Sequence, residues 1–316
     1  MRECLQIAVA GVLGAVLMSG CVTYRAGAPK GAIDVIAHRG ASAYAPENTL
    51  AAFALAKEMD ADWFELDCTL TKDGEILVIH DNDVERTTNG EGKVAALTLA
   101  ELKALDAGAW KHPKWAGEPL PTLDEALALA KKKRIGVYIE IKNSDDDGAL
   151  IRQITTMIED RETLTPGQRQ EIMALIKASG SRNIELTRKV IDLIRQRRMK
   201  HQVVIQSFSP IICAVAVEEA PEVRTEFLGS KDEDHPERWP LFLTFGRLFD
   251  FVAFNVSLDS LDQELLAQCH DQGRTMAIWT VDERDDMQRI AQWGVDSIIT
   301  NRPDLCLRTL EEMGKR

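Results

Sequence analysis

The sequence lacks the short motifs that mark several large enzyme classes. No glycine-rich phosphate loop and no dinucleotide-binding fingerprint follows any apolar segment, which argues against a nucleotide-dependent enzyme on an open sheet. None of the six cysteines forms a Cys-x-x-Cys pair or has the spacing of a metal site. No internal repeat or low-complexity tract is present.

Basic residues are fewer than acidic ones. Thirty-eight Lys and Arg residues face 50 Asp and Glu residues, which gives a formal net charge of −12. A negative surface repels a polyphosphate, so we expect no nucleic-acid partner. The same charge repels any anionic substrate, which would need a local source of positive charge. The composition is otherwise that of a globular protein, with 45% hydrophobic residues in 316.

The first residues form a separate unit. The segment 5–18 is apolar except for Gln6, and it is too short for a comfortable membrane span. It leads through Ser19 and Gly20 into Cys21, which is typical of a bacterial lipoprotein signal. We therefore predict a signal peptide over 1–20, lipidation of Cys21 and a small, polar tether over 21–32. A plain signal peptide and an uncleaved anchor are the alternatives, and each version exports the chain to the cell envelope or periplasm.

Four cysteines remain in the mature chain, and their spacing does not define a disulfide pattern. Export permits disulfides, but the sequence cannot pair the four residues. We expect buried free thiols. The residues concerned are Cys68, Cys213, Cys269 and Cys306.

Short apolar segments alternate with helical patterns from residue 33 to residue 316. Such alternation predicts parallel strands with crossover helices, and seven or eight units favour a closed (β/α)₈ TIM barrel, an α/β fold. The predicted strands are 34–37, 63–70, 76–79, 137–141, 203–206, 225–228, 251–254, 276–280 and 297–299. The predicted helices include 49–59, 123–132, 186–197, 261–272 and 284–293.

Two segments interrupt this alternation. Residues 81–121 form a long insertion rich in glycine and proline, directly after the strand that ends at His80. Residues 143–200 contain more helix than one crossover needs, with breaks near Pro166 and Gly180. Insertions that follow barrel strands lie at the carboxyl end, so the first is expected to form one wall of the substrate cleft.

Acidic side chains recur on one face of two predicted strands. Glu65 and Asp67 are two residues apart and share a face, as do Glu140 and Lys142. Acids gathered at a barrel axis suffer desolvation and mutual repulsion, which a hard divalent cation with oxygen ligands removes. We therefore predict that Glu65, Asp67 and Glu140 bind one Mg²⁺ or Ca²⁺ ion. An ordinary solvated sheet face is the alternative for each pair.

Two histidines follow predicted strands. His38 and His80 have side chains that titrate near neutrality, so one could accept the proton of an attacking hydroxyl while the other protonates a leaving alkoxide. Arg39 and Lys142 are predicted to bind phosphate oxygens. A single histidine at a strand end is usually structural. The coincidence of these residues at strand carboxyl ends favours a catalytic site.

Three further residues are weaker candidates for the site. Asn48 either contacts the site or caps the helix that follows. Gln206 could hydrogen-bond near the metal. Trp279 either stacks on the substrate or fills the barrel mouth.

An ordered series of short motifs across residues 33–305 resembles the glycerophosphodiester phosphodiesterase family. The motifs are His38-Arg-Gly-Ala41, Pro46-Glu-Asn-Thr49, Glu65-Leu-Asp67, Thr71-Lys-Asp-Gly74, His80-Asp81, Pro121-Thr-Leu-Asp-Glu-Ala126, Glu140-Ile-Lys142, Gln206-Ser-Phe208, Trp279-Thr-Val281 and Gly294 to Pro303. Asn301 stands where aspartate is common in the family, and residues 143–200 look longer than usual.

The resemblance implies a TIM barrel with a small insertion after the His80 strand. It implies hydrolysis of glycerophosphodiesters to sn-glycerol 3-phosphate and an alcohol, with metal at Glu65, Asp67 and Glu140. It also implies acid and base roles for His38 and His80 and phosphate contacts from the Arg39 and Lys142 positions. The first nucleophile stays open between water and a neighbouring hydroxyl of the substrate.

Two other functions remain compatible with the residues. One is a phospholipase D-like or phosphoinositide-cleaving barrel that acts on intact lipid, for which surface anchoring would be convenient. The other is a non-catalytic surface protein that uses the barrel as a binding scaffold. A binding module has no need of two histidines and three acids together, which argues against the second.

Overall fold

Strands and helices alternate along the chain in the computed structural model. The strands are β1 (Asp34–Ala37), β2 (Trp63–Leu70), β3 (Ile76–Val78), β4 (Gly136–Ile141), β5 (Val203–Ser207), β6 (Arg224–Gly229), β7 (Ala253–Ser257), β8 (Thr275–Trp279) and β9 (Ser297–Thr300). The α-helices are α1 (Leu50–Glu58), α2 (Leu99–Lys103), α3 (Leu123–Lys133), α4 (Gly148–Ile158), α5 (Pro166–Ala178), α6 (Arg182–Arg197), α7 (Pro210–Glu219), α8 (Arg238–Leu248), α9 (Gln263–Asp271), α10 (Arg284–Trp293) and α11 (Pro303–Glu312).

The structure describes residues 31–158, 161–249 and 251–316. The predicted signal segment 1–20, the predicted lipidation site Cys21 and most of the predicted tether lie outside these ranges. Within them, every helix is either too short or too polar to cross a lipid bilayer.

Eight of the strands close into a barrel. The order around it is β1, β9, β8, β7, β6, β5, β4 and β2, and β1 pairs with β2 to complete the ring. Each of these pairings is parallel, because a crossover helix returns the chain to the same end before the next strand. The predicted (β/α)₈ TIM barrel is confirmed.

The ninth strand departs from the predicted alternation. The segment at 76–79 is a strand, as predicted, but β3 runs antiparallel to β2 and lies outside the ring. Only five residues separate the end of β2 from the start of β3, which is too few for the crossover that a parallel pair requires. The tight return brings the end of β3 back beside Asp67, whose carbonyl accepts a hydrogen bond from the Ile79 amide (3.0 Å).

Side chains alternate between two layers along the barrel strands. Leu66, Ile139 and Ile141 are fully buried in the outer layer, where they pack with helical side chains such as Leu127. The inward positions at the amino ends are apolar and fill the base of the barrel with Ile36, Trp63, Tyr138, Val204, Ala277 and Ile299. Polar inward positions begin above this layer, at Glu65, Glu140 and Gln206.

Local sequence signals fix where the helices begin. The hydroxyl of Thr122 accepts a hydrogen bond from the Glu125 amide, and the Glu125 carboxylate accepts one from the Thr122 amide, so α3 starts with a reciprocal cap. Thr165 and Gln168 make the same arrangement at the start of α5. Such caps contribute about 1 kcal/mol each to helix stability.

Both predicted interruptions are present. Residues 81–121 carry α2 and two short 3₁₀ turns around a small core of their own, which includes Val84, Val94 and Leu102. Three helices, α4 to α6, fill the span between β4 and β5. The four predicted mature cysteines are buried free thiols, as expected.

Candidate active site

Three carboxylates meet at the upper end of the barrel. Glu65 and Asp67 extend inward from β2, and Glu140 extends from the neighbouring β4, where it is in register with Asp67. One oxygen from each lies within 4.8 Å of the other two, and all three side chains are buried. The structure thus brings together the three acids that the sequence predicts as metal ligands.

Burial and mutual repulsion shift the ionisation of this cluster. Burial, followed by the charges of Asp67 and Glu140, raises the pKa of Glu65 well above its ordinary value. Burial also raises the pKa of Glu140. Although burial acts in the same direction on Asp67, the charges of Lys142 and Arg39 hold the pKa of that carboxyl below its ordinary value.

Two cations lie against the acids. The Lys142 ammonium is 2.8 Å from Glu140 Oε1 and 3.5 Å from Asp67 Oδ1. Arg39 Nε lies 3.3 Å from Asp67 Oδ2, and the Arg39 amide donates to Glu65 Oε2 (2.8 Å). These two side chains supply part of the local positive charge that an acidic protein needs to accept an anion.

The turn after β1 positions His38 and Arg39. Arg39 and Gly40 both have positive φ, 54° and 81°, and a Cβ on Gly40 would lie 2.6 Å from the carbonyl carbon of Ala52 in α1. Glycine is therefore required at position 40 by backbone conformation and by close packing. The turn directs the backbone amide of Arg39 at the carboxylate of Glu65.

His38 is held by an amide side chain. Its Nδ1 lies 2.7 Å from Asn301 Oδ1, and the Asn301 amide nitrogen donates to Asp282 Oδ2 (2.6 Å). An amide oxygen only accepts, so the proton belongs on Nδ1 and Nε2 keeps a free lone pair. Burial, followed by the positive charge of Arg39, lowers the pKa of His38 to about 4, so the ring is neutral at pH 7.

His80 reaches the site from a different direction than the sequence suggests. It follows the antiparallel strand β3, outside the barrel ring, whereas the pattern predicted the end of a parallel barrel strand. Its Nδ1 lies 2.6 Å from Asp81 Oδ1. His80 and His38 line one cavity of about 160 Å³ together with Glu65 and Glu140, so both histidines flank the acids as predicted.

Asn48 contacts the cluster and is not a helix cap. Its Nδ2 donates to Asp67 Oδ2 (2.8 Å), and its Oδ1 accepts from the Asp67 amide (3.2 Å). Thr49 caps α1 instead, by accepting from the Ala52 amide. Asn48 also has a positive φ of 57°, which asparagine tolerates better than most residues.

Gln206 and Trp279 also line the site. Gln206 Nε2 lies 3.5 Å from Glu65 Oε1, while its Oε1 accepts a bond from Asn255 (2.7 Å). Trp279 donates its indole N–H to the Asn255 carbonyl (3.2 Å) and borders the same cavity as both histidines. The two predicted residues are thus connected through Asn255, which the sequence did not single out.

Several residues near the site were not predicted from the sequence. Phe208 is 44% exposed and packs edge-on against Trp279, with ring centroids 5.4 Å apart. Glu47 accepts a hydrogen bond from Arg39 (2.8 Å) and lies in a motif that the sequence had marked. Arg86 belongs to the insertion, where no periodicity pointed to it.

A second cavity opens beside the first. It has a volume of about 480 Å³ and is bordered by Asp81, Asn82 and Asp83 of the insertion and by Asn143 and Phe208 of the barrel loops. The insertion therefore forms one wall of the cleft, as predicted. A larger cavity of about 710 Å³ lies at the amino ends of β1 and β2 and contains none of the candidate residues.

Comparison with known proteins gives this site a context. The model of the glycerophosphoryl diester phosphodiesterase family matches residues 38–305. The chain belongs to this family. It therefore contains an enzyme domain of the phosphodiesterase class, and the family and class predicted from the sequence are confirmed.

Individual relatives extend over most of the chain. A glycerophosphodiester phosphodiesterase of Caldanaerobacter subterraneus is 36% identical over 280 residues, covering 89% of this chain and 98% of the relative. One from Bacillus subtilis is 31% identical and covers 93% and 94%. Family members can therefore be compared with this chain from end to end of the barrel.

Solved structures share the fold. An Oleispira antarctica phosphodiesterase, solved in complex with its product sn-glycerol-3-phosphate, has a TM-score of 0.66 at 24% identity and covers 89% of this chain and 97% of its own. A glycerophosphodiester phosphodiesterase of Agrobacterium tumefaciens has a TM-score of 0.64 at 27% identity, covering 87% and 99%.

The Asn48 side chain is expected to contribute measurably to the free energy of unfolding. Asn48→Gly keeps the positive-φ backbone accessible and removes both hydrogen bonds to buried Asp67. We expect the free energy of unfolding in urea to fall by about 1–3 kcal/mol, because buried polar groups lose their partners. Asn89→Gly, which removes one hydrogen bond at an exposed position, is the control. Equal losses in the two variants would contradict a supporting role for Asn48.

Proposed function

We propose that the chain hydrolyses glycerophosphodiesters to sn-glycerol 3-phosphate and an alcohol. The observation that carries this proposal is the buried cluster of Glu65, Asp67 and Glu140, with His38 and His80 beside it on a barrel of this family. The names of the relatives support the substrate class. The product in the Oleispira structure supports the same chemistry for a protein of this fold.

A divalent cation, Mg²⁺ or Ca²⁺, fits the donor set. Three buried carboxylates offer oxygens within 4.8 Å of each other, and burial, followed by their mutual repulsion, raises the pKa of Glu65, as expected for an acid cluster short of positive charge. Hard cations prefer oxygen ligands of this kind. When bound by Glu65, Asp67 and Glu140, the cation supplies a contact for a phosphate oxygen and stabilises charge that develops at phosphorus.

The two histidines divide the proton transfers. His38 is neutral at pH 7 and has Nε2 unprotonated, so it suits the base that accepts a proton from the attacking hydroxyl. The His80 ring is oriented by the Asp81 carboxylate, 2.6 Å from Nδ1, and His80 takes the other role, that of the acid that protonates the leaving alkoxide. The attacking hydroxyl belongs either to water or to the substrate itself.

Arg39 and Lys142 receive the phosphate. Both already border the acid cluster, and their charges are shared with Asp67 and Glu140. An anionic phosphodiester would accept from these two groups in spite of the net negative charge of the chain.

A product assay tests this function. Purified protein should release glycerol 3-phosphate from soluble glycerophosphodiesters, lose that activity with a chelator and regain it with added divalent cation. Asp67→Asn removes a ligand charge and should lower kcat/KM about 100-fold or more. Asp259→Asn, at an exposed position, should leave kcat/KM unchanged.

Two outcomes of that assay would count against the proposal. Turnover that survives both chelation and the Asp67→Asn change would show that the acid cluster is not the site. Cleavage of lipid vesicles without cleavage of soluble glycerophosphodiesters would favour the lipid-cleaving alternative.

We also propose that the chain is exported and anchored by lipid at Cys21. The apolar segment 5–18 and the small residues before Cys21 support this. In a bacterial host fed labelled palmitate, the wild-type chain should carry label and sediment with membranes, whereas Cys21→Ser should do neither. A wild-type chain that is secreted without label would indicate a plain signal peptide instead.

A further inference from the structure

Arg86 of the insertion binds two acids at once. Its Nε donates to Asp81 Oδ2 (2.5 Å), while its Nη1 and Nη2 donate to Glu47 Oε2 (2.9 Å) and Oε1 (2.8 Å). Asp81 follows β3, and Glu47 precedes α1, 39 residues away from Arg86 in the sequence. One guanidinium thus joins the insertion to the loop after β1.

Each of the two acids also contacts a candidate catalytic residue. The second oxygen of Asp81 lies 2.6 Å from His80 Nδ1. Glu47 Oε1 also accepts from Arg39 Nη1 (2.8 Å), and Arg39 lies beside Asp67. A continuous chain of polar contacts therefore runs from one histidine to the phosphate-contacting arginine, with Arg86 at its centre.

The geometry requires arginine at this position. A guanidinium presents five donors in a planar fork and can serve two carboxylates in fixed directions, whereas an ammonium is a compact charge on a flexible stem. The chain of contacts also keeps the acids ionised. Burial alone would raise the pKa of Glu47 and of Asp81, but the hydrogen bonds from Arg86 help to hold both values below the ordinary range.

We propose that Arg86 is a positioning residue for the reaction, which fixes the His80 ring and the Arg39 guanidinium relative to each other through Asp81 and Glu47. This rests on the proposed function, which gives His80 and Arg39 their roles. The insertion thereby contributes to the orientation of the catalytic groups in addition to forming a wall of the cleft.

A surface ion pair of no catalytic consequence is the competing explanation. The Arg86 side chain is 45% exposed, and exposed ion pairs contribute only about 0–1 kcal/mol to stability. Arg188 offers a matched control, because it is equally exposed at 45% and binds Glu219 through two donors (2.9 and 2.7 Å) on the outer helices.

The experiment compares Arg86→Gln and Arg86→Lys with Arg188→Gln. We expect kcat on a soluble glycerophosphodiester to fall about 10-fold or more in both Arg86 variants, with KM changed less than about threefold, since supporting residues of a site typically cost 10–100-fold. Arg188→Gln should match the wild type in both constants. The change in Tm should be similar for Arg86→Gln and Arg188→Gln.

Histidine ring nitrogen spectra give a second readout that does not depend on turnover. In ¹⁵N-labelled protein, the His80 ring signals, assigned with His80→Gln, should shift in Arg86→Gln and stay unchanged in Arg188→Gln. Unchanged His80 signals together with an unchanged kcat would overturn the proposal. A wild-type chain that releases no glycerol 3-phosphate would sink the proposed function, while the spectra would still decide whether Arg86 orients His80.

Discussion

Burial of three like charges at one point is the constraint on which the rest of this structure depends. Glu65, Asp67 and Glu140 approach within 4.8 Å in the upper half of a barrel whose base is apolar. Carboxylates in such a place repel one another and lose hydration, which is costly unless positive charge is supplied. Lys142 and Arg39 supply part of it, and Asn48 donates a hydrogen bond to Asp67. The three carboxylates still lack enough positive charge, which explains why a divalent cation fits the site.

The positive charges near the acid cluster lie where an anionic substrate would bind. An acidic protein must concentrate its cations where an anionic substrate is to bind, and the Arg39 and Lys142 side chains do so at the rim of the acid cluster. Arg86 then lies one contact further out, where it links Glu47 to Asp81.

Much of the fold could be predicted from the sequence, because buried parallel strands are short apolar segments between turn residues. The bounds of β1 and β2 agree residue for residue with the prediction, whereas β7 (Ala253–Ser257) begins two residues later and ends three residues later than the predicted strand 251–254. The sequence predicts a strand that starts at Phe251, but the structure packs this side chain among the outer aromatics, before β7 begins. Side-chain periodicity does not distinguish a buried aromatic residue of a strand from one that precedes the strand.

Two kinds of feature could not be predicted from the sequence. One is the orientation of β3, and the other is the set of roles played by Arg86, Glu47 and Asn255. A segment of three apolar residues carries no information about whether it runs parallel or antiparallel to its neighbour. Arg86 and Glu47 are distant in the chain and meet only through the fold. Glu65, Asp67 and Glu140, in contrast, were accessible because alternation on a strand assigns side chains to one face and register aligns β2 with β4.

Even with Lys142 and Arg39 in place, the acid cluster is short of positive charge until a divalent cation binds. The raised pKa of Glu65 means that the folded state binds a proton there more tightly than the unfolded state does, so this group favours folding at low pH and opposes it as the pH rises through the folded value. At pH 8 without cation, Glu65→Gln should therefore have a higher Tm than the wild type.

Thermal unfolding of the two proteins at pH 8, with and without Mg²⁺ or Ca²⁺, tests this claim most directly. A cation at 100 times its Kd stabilises the folded state by about 2.7 kcal/mol, which raises Tm by several degrees. We predict that rise for the wild type and little or none for Glu65→Gln. A wild-type Tm that ignores the cation, or a Glu65→Gln protein that is less stable without cation and keeps the full response, would contradict it.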